Sequence, residues 1–88
     1  MERRELTIRN RLGLHARAAA KVVSLCSRFS SRVVLLANGR RAEGRHFIAL
    51  LMLSAALGTQ IAIEVSGPDE QQAIVAVTRL IGSGFDEA

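Results

Sequence analysis

Apolar and polar positions alternate over Leu6-Thr7-Ile8-Arg9, the period of a half-buried strand. Asn10 to Leu14 reads as a loop whose Gly13 is free to take positive φ. The period then changes. Between residues 16 and 28, Ala19, Val22, Val23 and Cys26 fall at helical spacing on one face, and Ser30-Ser31 breaks the run. Arg32 to Ala37 is β-rich, and Asn38-Gly39 is a strong hairpin signal that returns the chain as a strand from Arg40 to about Glu43. After Gly44 the pattern predicts a second helix over roughly residues 46 to 55, ended near Gly58. Gln60 to Val65 alternates again and places Ile61, Ile63 and Val65 inward. Gly67-Pro68 turns the chain, and Asp69 caps a last helix with Gln72 reaching back to it. Ala73, Ile74, Val77, Leu80 and Ile81 form the apolar stripe of that helix.

The predicted order is βαββαβα. Four strands and three helices in so short a chain predict an α+β fold, an open-faced sandwich with a four-stranded antiparallel sheet and three helices on one face. No internal repeat or linker divides the sequence, so residues 1–88 read as a single domain. Cys26 is expected to be a buried small hydrophobe, and Met52 to be core packing in a Leu-rich helix. Val33-Val34-Leu35-Leu36 is apolar on both faces, which fits either a strand covered on both sides or an exposed patch supporting weak association.

Length and composition narrow the classes of function. A chain of 88 residues buries about 60% of its unfolded surface and has no room for a deep substrate cavity plus a separate cofactor domain. One cysteine excludes an internal disulfide, no Cys/His cluster suits zinc, and a reducing compartment follows; neither a metal nor a cofactor is expected. The first five residues lead straight into a strand with no apolar segment of a signal peptide. Residues 47 to 63 carry no charge, but Gly58-Thr59-Gln60 cuts that run in two, which predicts a cytoplasmic protein with no membrane insertion.

The net charge of +4 is unevenly distributed. From Leu6 to Ala42 there is no acid, while Arg9, Arg11, Arg17, Lys21, Arg28, Arg32, Arg40 and Arg41 supply cations. The remainder after Ala42 is acidic on balance. A basic half implies phosphoryl groups, nucleic acid or acidic protein surfaces as partners, or else a solvated arginine-rich face.

The most informative site is Gly13-Leu14-His15-Ala16-Arg17, where a glycine loop meets the first helix. A helix start carries free N–H groups and partial positive charge, so first-turn cations are unfavourable unless an anion visits. A phosphoryl group fits: the orphan amides and the Arg17 fork hold its oxygens, and His15 supplies a nitrogen nucleophile able to carry it covalently. A surface His beside an unrelated Arg is the bland alternative. The scattered carboxylates Glu43, Glu64, Asp69 and Glu70 show no pairing for acid–base work.

Leu12-Gly13-Leu14-His15-Ala16-Arg17-Ala18-Ala19 resembles the active-site signature of HPr, the histidine-containing phosphocarrier of the bacterial phosphotransferase system. The resemblance extends over nearly the whole chain and is strongest to the nitrogen-related branch. The segments that carry this are Ile48 to Leu53, Gly58-Thr59-Gln60-Ile61, Gly67-Pro68 and the ending Ser83-Gly84-Phe85-Asp86-Glu87. It implies a carrier with no catalytic cycle of its own, serving sugar transport or nitrogen-related regulation. By the same resemblance His15 accepts a phosphoryl group on Nδ1 from phosphorylated enzyme I, charged by phosphoenolpyruvate, and passes it to a histidine of an enzyme IIA. Arg17 would neutralise phosphoryl charge, the backbone N–H groups of Ala16 and Arg17 would cap it, and Ala20, Phe47, Ile48 and Leu51 would form the docking face. A monomer is the default for such a carrier.

The sequence departs from the family pattern twice. Ala18 stands where a Pro usually follows the Arg, which leaves the first turn freer and restores one N–H donor. Arg45-His46-Phe47 occupies the region where many relatives carry a regulatory Ser, so that layer of control is expected to be absent. His46 is read as a helix-capping surface residue rather than a second phosphoryl site. A rival function, a small basic nucleic-acid-binding domain, is opposed by the presence of only three aromatic residues and no stacking run.

Overall fold

In the computed structural model, which describes residues 1–87, seven elements follow in the order the pattern predicts. They are β1 (Glu2–Thr7), α1 (Ala16–Cys26), β2 (Arg32–Ala37), β3 (Arg40–Glu43), α2 (Phe47–Leu51), β4 (Gln60–Ser66) and α3 (Glu70–Gly82). The strands form one sheet in the order β1-β4-β2-β3, and every pairing is antiparallel. The helices pack on one face of it. Asn38 at φ 55° and Gly39 at φ 75° make the turn between β2 and β3, the left-handed pair that a two-residue hairpin requires. Asn38 Nδ2 also donates to the carbonyls of Leu53, at 2.9 Å, and Ser54, at 3.1 Å, which ties the hairpin tip to the end of α2.

The core lies between sheet and helices. Ile61, Ile63 and Val65 of β4 and Val33 and Leu35 of β2 point into it, as alternation requires. Ala18, Ala19, Val22 and Cys26 face it from α1, and Ala73, Ile74, Val77 and Ile81 from α3. Burial pushes the Cys26 thiol up to about 11, so it stays a protonated, unreactive hydrophobe, as expected. Among the described residues no helix is long and apolar enough to cross a membrane.

Four features depart from the sequence reading. First, β1 starts at Glu2 and ends at Thr7, because charge does not exclude an edge strand when its charges are paired. Arg3 bonds Glu5 and Glu64, and Arg4 lies 3.5 Å from Glu2. Second, α2 has five residues instead of about ten. The Leu53 N–H bonds Leu50 O and the Ser54 N–H bonds Leu51 O, a tightened last turn, and Ser54 is left-handed at φ 53°. The left-handed Ser54 turns the chain out of the helix and brings the Ala55 carbonyl to the Leu14 N–H, 2.8 Å away.

Third, this early stop overturns the reading of Met52 as core: at the C-cap of α2 it is 57% exposed, and Leu50 and Leu53 fill the core instead. Fourth, α3 has no capping box. Its N-cap residue Asp69 makes no cap bond with its side chain, and Gln72 is exposed. The Asp69 carboxylate instead accepts from the backbone N–H groups of Ser30 and Ser31, each at 2.9 Å, and from the Ser31 hydroxyl. Glu70 takes the reaching-back role, with Oε1 accepting from Gly67 N–H at 3.1 Å.

Those bonds, led by the Ser31 hydroxyl, hold the Asp69 carboxyl below its usual range. A depressed folded-state value adds stability above the unfolded value, near 4, and that stability is lost as pH falls through the folded value. Asp69→Asn is therefore expected to flatten the acid limb of stability. Urea unfolding from pH 7 down to about 2 should show the wild-type advantage shrinking with acid, and an undiminished advantage contradicts this assignment.

On the outer face of the sheet Val34 is buried although no helix covers it. It lies in register between Glu43 and Glu64, which pair with Arg32 and Arg3 on either side of it. The apolar β2 run is thus covered on both faces over Val33 to Leu35, while Leu36 is half-buried.

Candidate functional site

The loop between β1 and α1 is held on both sides. Ile8 exchanges bonds of 2.9 Å with Thr59 O and Gly58 N–H, and Leu14 N–H reaches Ala55 O. Inside the loop the Gly13 N–H donates to Asn10 O at 3.2 Å, and Asn10 Nδ2 donates to Gly13 O at 2.8 Å. Gly13 sits at φ 66°, and a Cβ there would lie 2.8 Å from Ala56 Cα and still closer to the Ala55 carbonyl. Gly13→Ala is expected to cost about 1–3 kcal/mol and to displace the residues leading into α1, checked by chemical denaturation with His15 amide shifts alongside.

That loop delivers His15 to the N-cap of α1 in extended conformation, φ −83° and ψ −178°. Its carbonyl accepts the Ala19 N–H at 2.8 Å, and its side chain makes no cap bond. The amides of Ala16, Arg17 and Ala18 consequently have no helical acceptor, and no acid occupies the first turn. Ala18 is fully buried and contributes one of these donors, as the replacement of Pro implies.

The imidazole is one-quarter exposed, with Nε2 in close contact with Glu87 Oε2. Glu87 Oε1 accepts from Asn10 Nδ2 at 2.8 Å. Asn10 first, and His15 next, hold the Glu87 carboxyl below the usual range. A carboxylate accepts only, so Nε2 carries the hydrogen and the lone pair of the neutral ring lies on Nδ1. Among the described residues Nδ1 has no hydrogen-bond partner. Glu87 is held in place by Phe85, which is fully buried and whose carbonyl accepts from Lys21 Nζ at 2.6 Å.

Arg17 is exposed in the first turn of α1 and has no ion-pair partner among the described residues. It lines an open groove of about 1,020 Å³ with Arg9, Arg11, Lys21 and Glu87. Ala16 and Ala20 are exposed on α1. On α2, which packs beside α1, Phe47 and Ile48 are exposed and Leu51 is half-buried. His46 stands at the N-cap of α2, but its side chain makes no cap bond, so the capping role read from sequence is not filled. Asn10 and Glu87 were not legible as site residues. Glu87 is 72 positions from His15, and only tertiary structure joins them.

Over residues 2–83 the sequence matches the family described as PTS HPr component phosphorylation site. The chain belongs to the HPr family. It is 48% identical to the phosphocarrier protein NPr of Escherichia coli K12 over 91% of this chain and 90% of that protein. It is 42% identical to the phosphocarrier protein HPr of Cupriavidus necator over 99% and 98% of the two chains. The fold superposes on the crystal structure of HPr-C-His from Thermoanaerobacter tengcongensis with a TM-score of 0.93 at 32% identity, covering 100% and 99% of the chains. Likeness to both HPr and NPr proteins agrees with the branch resemblance drawn from sequence, and the open-faced sandwich is the HPr architecture.

Proposed function

We propose that this protein is a phosphocarrier of the phosphotransferase relay, a single HPr-like domain that works in the cytoplasm as a monomer. His15 Nδ1 receives a phosphoryl group from phosphorylated enzyme I and yields it to a histidine of an enzyme IIA. The observation that supports this most directly is the His15–Glu87 contact, which leaves the nucleophilic nitrogen open beside unpaired helix amides.

In the transfer the Nδ1 lone pair forms the new N–P bond while the bond from phosphorus to the donor nitrogen breaks and its electrons stay with the donor imidazole. The His15 ring gains positive charge, which the Glu87 carboxylate offsets through Nε2–H. The phosphoryl oxygens lie toward the amides of Ala16, Arg17 and Ala18, and the Arg17 guanidinium supplies mobile charge compensation. Onward transfer reverses these steps. The exposed residues Ala20, Phe47 and Ile48 and the half-buried Leu51 form the contact face for both partners. Such a face suits brief association, and the cations lining the adjoining groove draw acidic partner surfaces.

The test is incubation with phosphoenolpyruvate and enzyme I of the sugar or nitrogen type, followed by detection of acid-labile, base-stable phosphate. Absence of label with both enzymes overturns the reading. Arg17→Ala is expected to keep the fold and slow labelling by about 10–100-fold, the loss of one charge-assisted bond of about 1.5–3 kcal/mol. Unfolding of that variant would make Arg17 structural instead.

A further inference from the structure

The two edges of the sheet are finished differently. On β1 the charges are internally matched: Arg3 with Glu5 and Glu64, Arg4 with Glu2, and the amino terminus with Glu70 at 2.9 Å. On β3, Arg40 and Arg41 have no ion-pair partner among the described residues, and Glu43 is already neutralised by Arg32 at 3.1 Å. The β3 edge therefore presents two uncompensated cations and no free acid.

Its main chain is also open. Gly44 N–H bonds Val33 O, and Ala42 faces Leu35 and Arg40 faces Ala37 in the same register. Hydrogen bonding alternates along an antiparallel pair, so residues 40, 42 and 44 turn their polar groups toward β2 while Arg41 and Glu43 turn theirs away. The Glu43 carbonyl is taken by His46 N–H at 3.0 Å. The N–H and C=O of Arg41 and the N–H of Glu43 remain directed off the sheet.

A depression flanks this edge on each face. On the helix side Ala49, Met52 and Leu53 line a groove of about 510 Å³, and on the outer side a depression of about 480 Å³ runs from the edge over Leu36 and Ala62 to Arg3 and Glu5 of β1. Arg40 and Arg41 border both. An added strand sends alternate side chains to the two faces, so one set meets the Ala49–Met52–Leu53 groove, where Arg40 Nη1 already donates to Met52 O at 3.0 Å, and the other set meets Arg41 on the outer face.

We propose that the β3 edge docks an extended segment of a partner protein, rich in alternating aliphatic and acidic residues, as a fifth strand of the sheet. The main-chain groups of Arg41 and Glu43 supply its ladder, the Ala49–Met52–Leu53 groove takes its aliphatic side chains on the helix face, and Arg41 selects its acids on the opposite face. A second copy of this chain is a poor occupant, because two β3 edges paired with each other would bring like charges together. The site uses no atom of His15 and stands whether or not the relay reading does.

The probe is the capped peptide acetyl-Glu-Val-Glu-Val-Glu-Val-amide, titrated into the intact ¹⁵N-labelled protein. Shifts are expected at the Arg41 and Glu43 amides and around Met52, weakening as salt rises. A peptide with Lys for Glu should show at least about tenfold weaker binding, as should the original peptide N-methylated at alternate residues, which removes its ladder donors. Arg41→Glu in the protein should weaken binding equally while leaving the fold intact. The proposal is overturned if the shifts lie only on Phe47, Ile48 and the His15 loop. It is also overturned if the methylated or lysine peptide binds as well, or if the free protein dimerises through β3.

Discussion

His15→Ala is expected to abolish acid-labile phosphate completely while the melting temperature stays within about 4 °C of the wild type. The reason is geometric. The ring is partly exposed at the head of α1 and fills no core position, so its removal leaves the packing behind it unchanged. No other residue at the site offers a nitrogen that can take its place: Arg17 remains charged, and the adjacent amides are donors only. His46 is the one other imidazole in the sequence, and it sits exposed at the N-cap of α2 with no carboxylate bonded to either nitrogen among the described residues. Labelling that persists in the variant would move the acceptor to His46 or to another group and remove the role assigned to the Glu87 contact.

Phe85→Ala is expected to be the most damaging single truncation near the site, costing about 3–5 kcal/mol. A domain of this length holds about 4–13 kcal/mol in total, so the variant is marginal or unfolded at 37 °C. Phe85 is fully buried at a left-handed φ of 58°, and its carbonyl anchors Lys21. Losing it releases the short segment that places Glu87 against His15 and Asn10. Urea unfolding gives the stability change. The His15 ring shifts, followed at low temperature where enough folded protein remains, report whether the carboxylate has left. A loss below about 1 kcal/mol would mean that the segment is held by something other than this ring.

How far the sequence discloses this structure follows from the range of the interactions concerned. Periodicity depends on which residues must be covered, so Ile61, Ile63 and Val65 on β4 and Ala73, Ile74, Val77 and Ile81 on α3 are recognisable in advance. The Asn38-Gly39 turn is local chemistry and was equally plain. The start of β1 was hidden because its ion pairs reach across to Glu64 and Glu70. The length of α2 was hidden because the left-handed turn at Ser54 that ends it goes with a contact between Ala55 and Leu14, far apart in sequence. Asp69 looked like a cap from its neighbours in sequence, yet it serves Ser30 and Ser31, which lie 39 and 38 positions away.

The site divides in the same way. His15, Ala16 and Arg17 are contiguous and meaningful as a string, because a helix start has predictable needs. Glu87 and Asn10, which fix the ring and settle which nitrogen is open, are joined to it only by folding. The motif suggests the chemistry proposed for the site, while the orientation of the ring is visible only in the fold.

A helix of five residues cannot persist by its own backbone bonding, so Phe47 to Leu51 keeps its shape only while Leu50 remains seated beneath it. Its amides should exchange with deuterium well ahead of those in β4, opening as a small local unit. In the proposed relay, pliancy of this kind would let one surface conform in turn to two dissimilar proteins and let go of each quickly. Stiffening it, for example by extending the helix through residue 54, would tighten one encounter at the expense of turnover between them.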